Sequence, residues 1–189
     1  MGRIKILENI KRNKPAVVGL PEIPGFNREE KVVGLFIKNA SVSGTRCFSD
    51  GQSLNEIIQR DFTTAKNIFA PDFPEIGHLS VTEKTDIGIL KNIDLAIFRS
   101  PLGVAENGAI WLTEEISHHR IVPFITQHLL VVLSPENIVP TMHEAYENLP
   151  VAETGFGVFV AGPSKTADIE QSLVVGAQGA RSLGILITT

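Results

Sequence analysis

Residues 156–174 most constrain the fold. An apolar run, Phe156-Gly157-Val158-Phe159-Val160-Ala161, stops at Gly162-Pro163 and passes into Ser164-Lys165-Thr166-Ala167-Asp168-Ile169-Glu170. A short apolar run bounded by turn residues reads as a buried strand, and Ile169, Leu173 and Val174 then recur at helical spacing. The pattern predicts a strand, a tight turn and a helix, the unit from which α/β proteins are built. Thr166 is placed to cap that helix, so the free N–H groups of its first turn, at the positive end of the helix dipole, would face whatever sits over Gly162. Gly162, Ser164, Lys165 and Thr166 would then offer an open backbone, two hydroxyls and a cation to a small anion. An ordinary capped turn explains the same residues without a ligand, and the sequence leaves both readings open.

The rest of the chain alternates in the same manner. Residues 1–26 read as a short helix over 3–12 and an irregular arm broken by Pro15, Pro21, Pro24 and Gly25. Asn27, with Glu30 three residues on, opens a second helix whose buried face is Val32, Val33, Phe36, Ile37 and Ala40. A strand at 44–48, a helix at 54–61 and a strand at 66–69 follow, then a helix over 82–91 and a strand at 94–98. Residues 109–113 and 128–133 read as buried strands, 138–148 as a helix with Pro140 in its first turn, and 184–188 as the last strand. Such alternation predicts a largely parallel sheet with helices on both faces, a three-layer α/β/α fold in one domain spanning 1–189.

Charge and composition exclude several functions. The net charge of −4, from 17 basic and 21 acidic residues, and the lack of a basic cluster longer than Lys11-Arg12-Asn13-Lys14 argue against nucleic acid as a partner. No apolar stretch approaches membrane-spanning length and the N-terminus has no signal-peptide core, so a cytoplasmic protein with no membrane partner is expected. Cys47 stands alone, which rules out an internal disulfide, a cysteine-ligated iron–sulfur cluster and a cysteine-based zinc site within the chain. His118 and His119 are adjacent and the other histidines isolated, so no metal site is expected. A Gly-x-Gly-x-x-Gly turn between strand and helix is also missing, so the chain is expected to bind no redox cofactor alone.

Glu106 is the best candidate for chemistry. It lies in Gly103-Val104-Ala105-Glu106-Asn107-Gly108, between the strands at 94–98 and 109–113. A carboxylate held in a glycine-bearing turn near strand ends can act as a general base, a nucleophile or a hydroxyl acceptor, and a solvent-exposed turn glutamate is the plainer alternative. Asn107 shares that turn and joins the ligand-binding candidates. Arg99, directly after its strand, could give a positive charge to a carboxylate ligand, with an exposed strand-end arginine as the plainer alternative. Arg181 either fixes the turn at 176–180 through its carbonyls or reaches the same anion.

These residues also carry a resemblance. The run GPSKTADIE, followed by GAQGARSLGILIT, resembles the C-terminal signature of the LUD-domain proteins, the family of lactate utilization protein C (LutC, YkgG). In that family the second turn reads Gly-Ala-His-Gly-Pro-Arg, so Gln178 and Ala180 are departures. The segment Asp94-Leu95-Ala96-Ile97 with Val104-Ala105-Glu106-Asn107-Gly108-Ala109-Ile110 resembles a second family block, from which Asn107 and Ala109 depart. The resemblance covers the C-terminal half well and the N-terminal half in outline. It implies a fold of the NagB/RpiA/CoA transferase kind, and Glu-Asn-Gly also resembles the segment carrying the catalytic glutamate of CoA transferases. It further implies a subunit of an L-lactate utilization system that oxidises lactate to pyruvate beside iron–sulfur partners (LutA- and LutB-like), the clusters residing in those partners. The alternative is a free-standing enzyme of the CoA-transferase or sugar-phosphate-isomerase type, with Glu106 reacting and the Gly162 loop holding a phosphorylated ligand. Homo-oligomerisation is open under either.

Overall fold

The computed structural model describes residues 2–16, 18–19, 31–49, 51–149, 155–167 and 173–188. In chain order the described elements are α1 (Arg3–Arg12), α2 (Val32–Val42), β1 (Arg46–Phe48), α3 (Leu54–Asp61), β2 (Ile68–Phe69), α4 (Ile87–Leu90), β3 (Leu95–Ser100), β4 (Gly103–Val104) and β5 (Ala109–Thr113). After them come α5 (Glu114–Ser117), α6 (Val122–Ile125), β6 (His128–Leu133), β7 (Ile138–Val139), α7 (Met142–Asn148), β8 (Gly157–Val160), β9 (Lys165–Ala167), β10 (Leu173–Val175) and β11 (Ser182–Ile187).

Strands β1-β11-β6-β3-β2 form a five-stranded, wholly parallel sheet. Its central strands are apolar on both faces, as parallel strands covered on both sides must be. Along β6, Leu129, Val131 and Leu133 join one buried cluster with Phe36 and Ala40 of α2, while Leu130 and Val132 join a second with Ile57 of α3. Strand β3 divides likewise, Ala96 and Phe98 to the first cluster and Leu95 and Ile97 to the second. Helix, sheet and helix thus make the three layers that the alternation predicts. The buried face of α2 is also as read, with Phe36 and Ala40 fully buried and Val32, Val33 and Ile37 packed beside them. The capping pair Asn27 and Glu30 and the prolines at 21 and 24 lie outside the described residues.

Helix α3 keeps its expected bounds because Ser53 and Glu56 form a reciprocal capping box, Ser53 Oγ accepting from the Glu56 N–H at 3.2 Å and Glu56 Oε2 from the Ser53 N–H at 2.8 Å. The Asp86 cap shortens the helix expected over 82–91 to α4. The helix expected over 138–148 is split. Ile138 and Val139 instead extend a second, four-stranded mixed sheet in the order β7-β4-β5-β8, and Thr141 caps α7 by accepting from the Glu144 N–H.

The largest departure from the sequence expectation falls on residues 165–175. Lys165–Ala167 is a strand paired antiparallel with Leu173–Val175, Thr166 lying opposite Val174, so Thr166 caps no helix and the described part of 165–175 forms a hairpin. β-branched Thr166, Val174 and Val175 suit extended backbone. The Gly176 N–H donating to the Ser164 carbonyl at 3.0 Å closes the returning chain onto its start. Asp168, Ile169 and Glu170 lie outside the described residues.

Candidate functional site

The two motif turns, distant in sequence, meet at the C-terminal end of α2. Strand β5 runs antiparallel to β8 with Ile110 opposite Val160, which brings the turn before β5 and the turn after β8 to the same end of the ladder. Asn39, in the last turns of α2, donates from Nδ2 to the carbonyls of Ala105 at 2.8 Å and Glu106 at 3.1 Å. The Ala105 and Glu106 N–H groups are held in turn by the carbonyls of Val139 and Pro140 at 2.8 and 3.0 Å. Gly108, at φ +67°, passes so close to α2 that a Cβ would stand 2.3 Å from the Ala40 nitrogen. The peptides around Glu106 are therefore fixed, while its side chain is exposed to solvent. Asn107 turns inward instead, its Oδ1 accepting from the Ala109 N–H at 3.0 Å.

The Gly162 turn docks one helical turn further along. A Cβ on Gly162, at φ +88°, would meet the Ser43 carbonyl oxygen at 2.4 Å, and Lys165 Nζ donates to that same carbonyl at 2.6 Å. A cation on the terminal carbonyls of a helix faces the negative end of its dipole. The polarity is thus the reverse of that expected, Lys165 serving the C-terminus of α2 instead of the N-terminus of a following helix. Ser164 ties the two halves of the C-terminal signature together: its N–H donates to the Ala180 carbonyl at 2.9 Å and its hydroxyl accepts from the Gln178 N–H at 3.3 Å. At the same junction the Thr45 hydroxyl is buried and unpartnered among the described residues, and burial pushes the neighbouring Cys47 thiol above its ordinary pKa.

A cavity of about 280 Å³ opens at the Gly162 turn, lined by Gly162, Ser164, Lys165, Thr166 and Gln178 together with Phe124, Val158 and Val160. The cavity thus gathers four of the expected ligand-binding residues. Glu106 is held against the same helix end. Arg181 belongs to the signature turn, its N–H donating to the Gln127 carbonyl at 2.9 Å and its Cγ occupying the space above Gly176. Arg99 is elsewhere, at the carboxyl end of β3. Among the described residues no three His, Cys, Asp or Glu side chains converge as a metal site would need, and no helix is long and apolar enough to cross a membrane.

Asn39 and Ser43, which hold both turns, were not among the candidates read from the sequence. The available signal was Asn39 itself, a polar residue continuing the Val32–Phe36 apolar stripe of α2 at helical spacing.

A family model described as the LUD domain matches residues 29–188. Lactate utilization protein C 1 of Bacillus mycoides is 33% identical over 107 residues, covering 51% of this chain and 44% of that protein. Lactate utilization protein C of Shouchella clausii is 28% identical over 148 residues, covering 67% and 63%. The chain spans about half the length of the curated relatives it matches. Among solved structures, a DUF162 family protein from Deinococcus radiodurans superposes with a TM-score of 0.62 at 15% identity, covering 84% of this chain and 97% of that one, a likeness of fold.

Proposed function

The chain belongs to the LUD-domain family, and on that premise we propose that it is a lactate utilization protein C-like component of a cytoplasmic L-lactate utilization system, acting with iron–sulfur partner proteins in the oxidation of lactate to pyruvate. Support comes from relatives bearing that name, which match half or more of the chain. The geometric observation that carries the reading is the convergence of the Glu106 and Gly162 turns on the end of α2. There the exposed Glu106 carboxylate stands on a backbone fixed by Asn39, on the same helix end that holds the Gly162 turn. Rigid peptides presenting one carboxylate suit recognition of a partner or a small ligand. With one cysteine in the chain, the electrons leaving lactate would travel through the partners' clusters. The rival reading, a free-standing acyl-CoA or sugar-phosphate enzyme, loses the helix N-terminus on which its phosphate site was built.

Affinity capture of the full chain from its native cells tests the proposal. Co-purification of iron–sulfur proteins, at unchanged ratio through a salt wash, is expected. A chain that brings down no such protein yet alone turns over an acyl-CoA or a sugar phosphate would replace this reading with its rival.

A further inference from the structure

The carboxyl ends of β3, β6 and β11 lie at the edge of the parallel sheet opposite to the Gly162 and Gly176 turns, and they enclose a separate cleft. In open parallel sheets this edge is where ligands bind. Register sets Arg99 beside Val132 and Ser100 beside Leu133, which in turn lies beside Ile187, so Ser134 and Thr188 leave the sheet at one level. The cavity there, of about 340 Å³, includes Asp72, Arg99, Asn137 and Thr188, and through Pro101, Ile116 and Asn137 it runs into a larger one of about 730 Å³ floored by Trp111.

Arg99 is anchored by its backbone and by a ring contact, which leaves the N–H groups of its guanidinium edge free of protein acceptors among the described residues. Its backbone N–H donates to Asp72 Oδ2 at 2.9 Å, and its guanidinium carbon stands 4.5 Å from the centre of the Phe73 ring. Among the described residues the guanidinium makes no hydrogen bond and no ion pair. The Asn137 amide and the Thr188 hydroxyl likewise make no side-chain bond among them. The other lining hydroxyls are committed, Ser100 donating to the Leu102 and Trp111 carbonyls at 2.8 Å and Ser134 bonding the Glu136 carboxylate.

We propose that this cleft binds a small monocarboxylate, its two oxygens on the guanidinium fork of Arg99 and its other polar end on Asn137 and Thr188. A planar fork matches a carboxylate bidentately. A single unit of ligand charge is favoured because Arg99 is the one cation in this lining and stands beside the Asp72 carboxylate, and the cost of stripping water from an anion rises with the square of its charge while the attraction to Arg99 rises only linearly. The cleft is independent of the Gly162 surface and stands whether or not the lactate-utilization reading does.

Acetate, L-lactate and inorganic phosphate are titrated separately into the full chain, with binding read by amide chemical shifts. Saturable binding of both carboxylates is expected, with phosphate about tenfold weaker or undetectable. Arg99→Gln should weaken carboxylate binding about tenfold or more, and Arg99→Lys, which keeps the charge without the fork, should fall between. Thr188→Val should weaken L-lactate more than acetate. Should Arg99→Gln fail to fold, Arg99→Lys carries the comparison. Absence of saturation by either carboxylate, equal binding by the Arg99 variants and wild type, or tighter binding of phosphate overturns the proposal.

Discussion

Lys165 Nζ donates to the carbonyl oxygen of Ser43 at 2.6 Å, joining positions 122 residues apart in the chain. The bond secures the signature turn to α2 and places a cation where the last carbonyls of that helix would otherwise face solvent. Removing the ammonium should release both. Lys165→Met keeps the aliphatic stem and is expected to lower stability by about 1 kcal/mol, with Lys165→Arg closer to wild type. Urea unfolding measures it. Equal midpoints for Lys165→Met and wild type would mean that the cap contributes nothing.

The close approach of both turns to α2 gives a sharper test. Alanine at Gly108 or Gly162 must adopt a left-handed backbone and also push its Cβ into Ala40 or Ser43, so each is expected to lose about 2–4 kcal/mol. Gly155 shares the positive φ, at +69°, but among the described residues has nothing within 4 Å of the added carbon, and Gly155→Ala should cost only about 1–2 kcal/mol. Similar losses at all three sites, by urea unfolding, would show that contact with α2 is not what fixes the turns.

The three-layer fold was legible in the sequence because its strands are apolar on both faces. The runs 95–98 and 128–133 are continuous and fall in the parallel sheet, whereas 109–113, read in the same way, belongs to the mixed sheet that the sequence did not announce. The hairpin at 165–175 was not legible, since Ile169, Leu173 and Val174 satisfy helical spacing equally well, and that spacing does not encode the pairing of Lys165–Ala167 with Leu173–Val175 or its closure by the Gly176 N–H on the Ser164 carbonyl. For the same reason the sequence identified the residues of both motif turns but not what joins them. Their meeting depends on the β5–β8 register and on Asn39, a long-range pairing that local spacing does not encode. Arg99 was grouped with the other candidate ligand residues in the sequence, but it lies at the carboxyl end of β3, apart from the Gly162 cavity.

His128 supplies a pH dependence. Its Nδ1 lies 2.8 Å from Ser182 Oγ and its ring centre 5.5 Å from that of Phe62. Burial chiefly, then the nearby Arg181 charge, hold its pKa below the ordinary imidazole value, while Asp94 opposes them. With the folded value depressed, the unfolded chain binds the proton more readily. The stability due to the neutral ring is therefore present above about pH 6.5 and is lost as pH falls through the folded-state value. His128→Gln should lose less stability than wild type between about pH 7.5 and about pH 5.5. Equal losses in urea unfolding would remove His128 as the cause.

Glu106 separates function from folding. Its side chain is exposed while its backbone is held, so Glu106→Gln should leave stability within about 1 kcal/mol of wild type. Complementation of a strain lacking this protein, on L-lactate as sole carbon source, should nevertheless fall. Growth equal to wild type at equal protein level would make Glu106 an ordinary surface residue.

The most direct measurement of the proposed function is L-lactate-dependent dye reduction by the purified iron–sulfur partners, with and without this chain. The chain alone should be colourless and reduce no dye, the partners alone should be impaired, and the wild-type chain should restore turnover while Glu106→Gln restores less. Partners that reduce the dye equally fast without the chain, or a chain that oxidises lactate unaided, would contradict the proposed function.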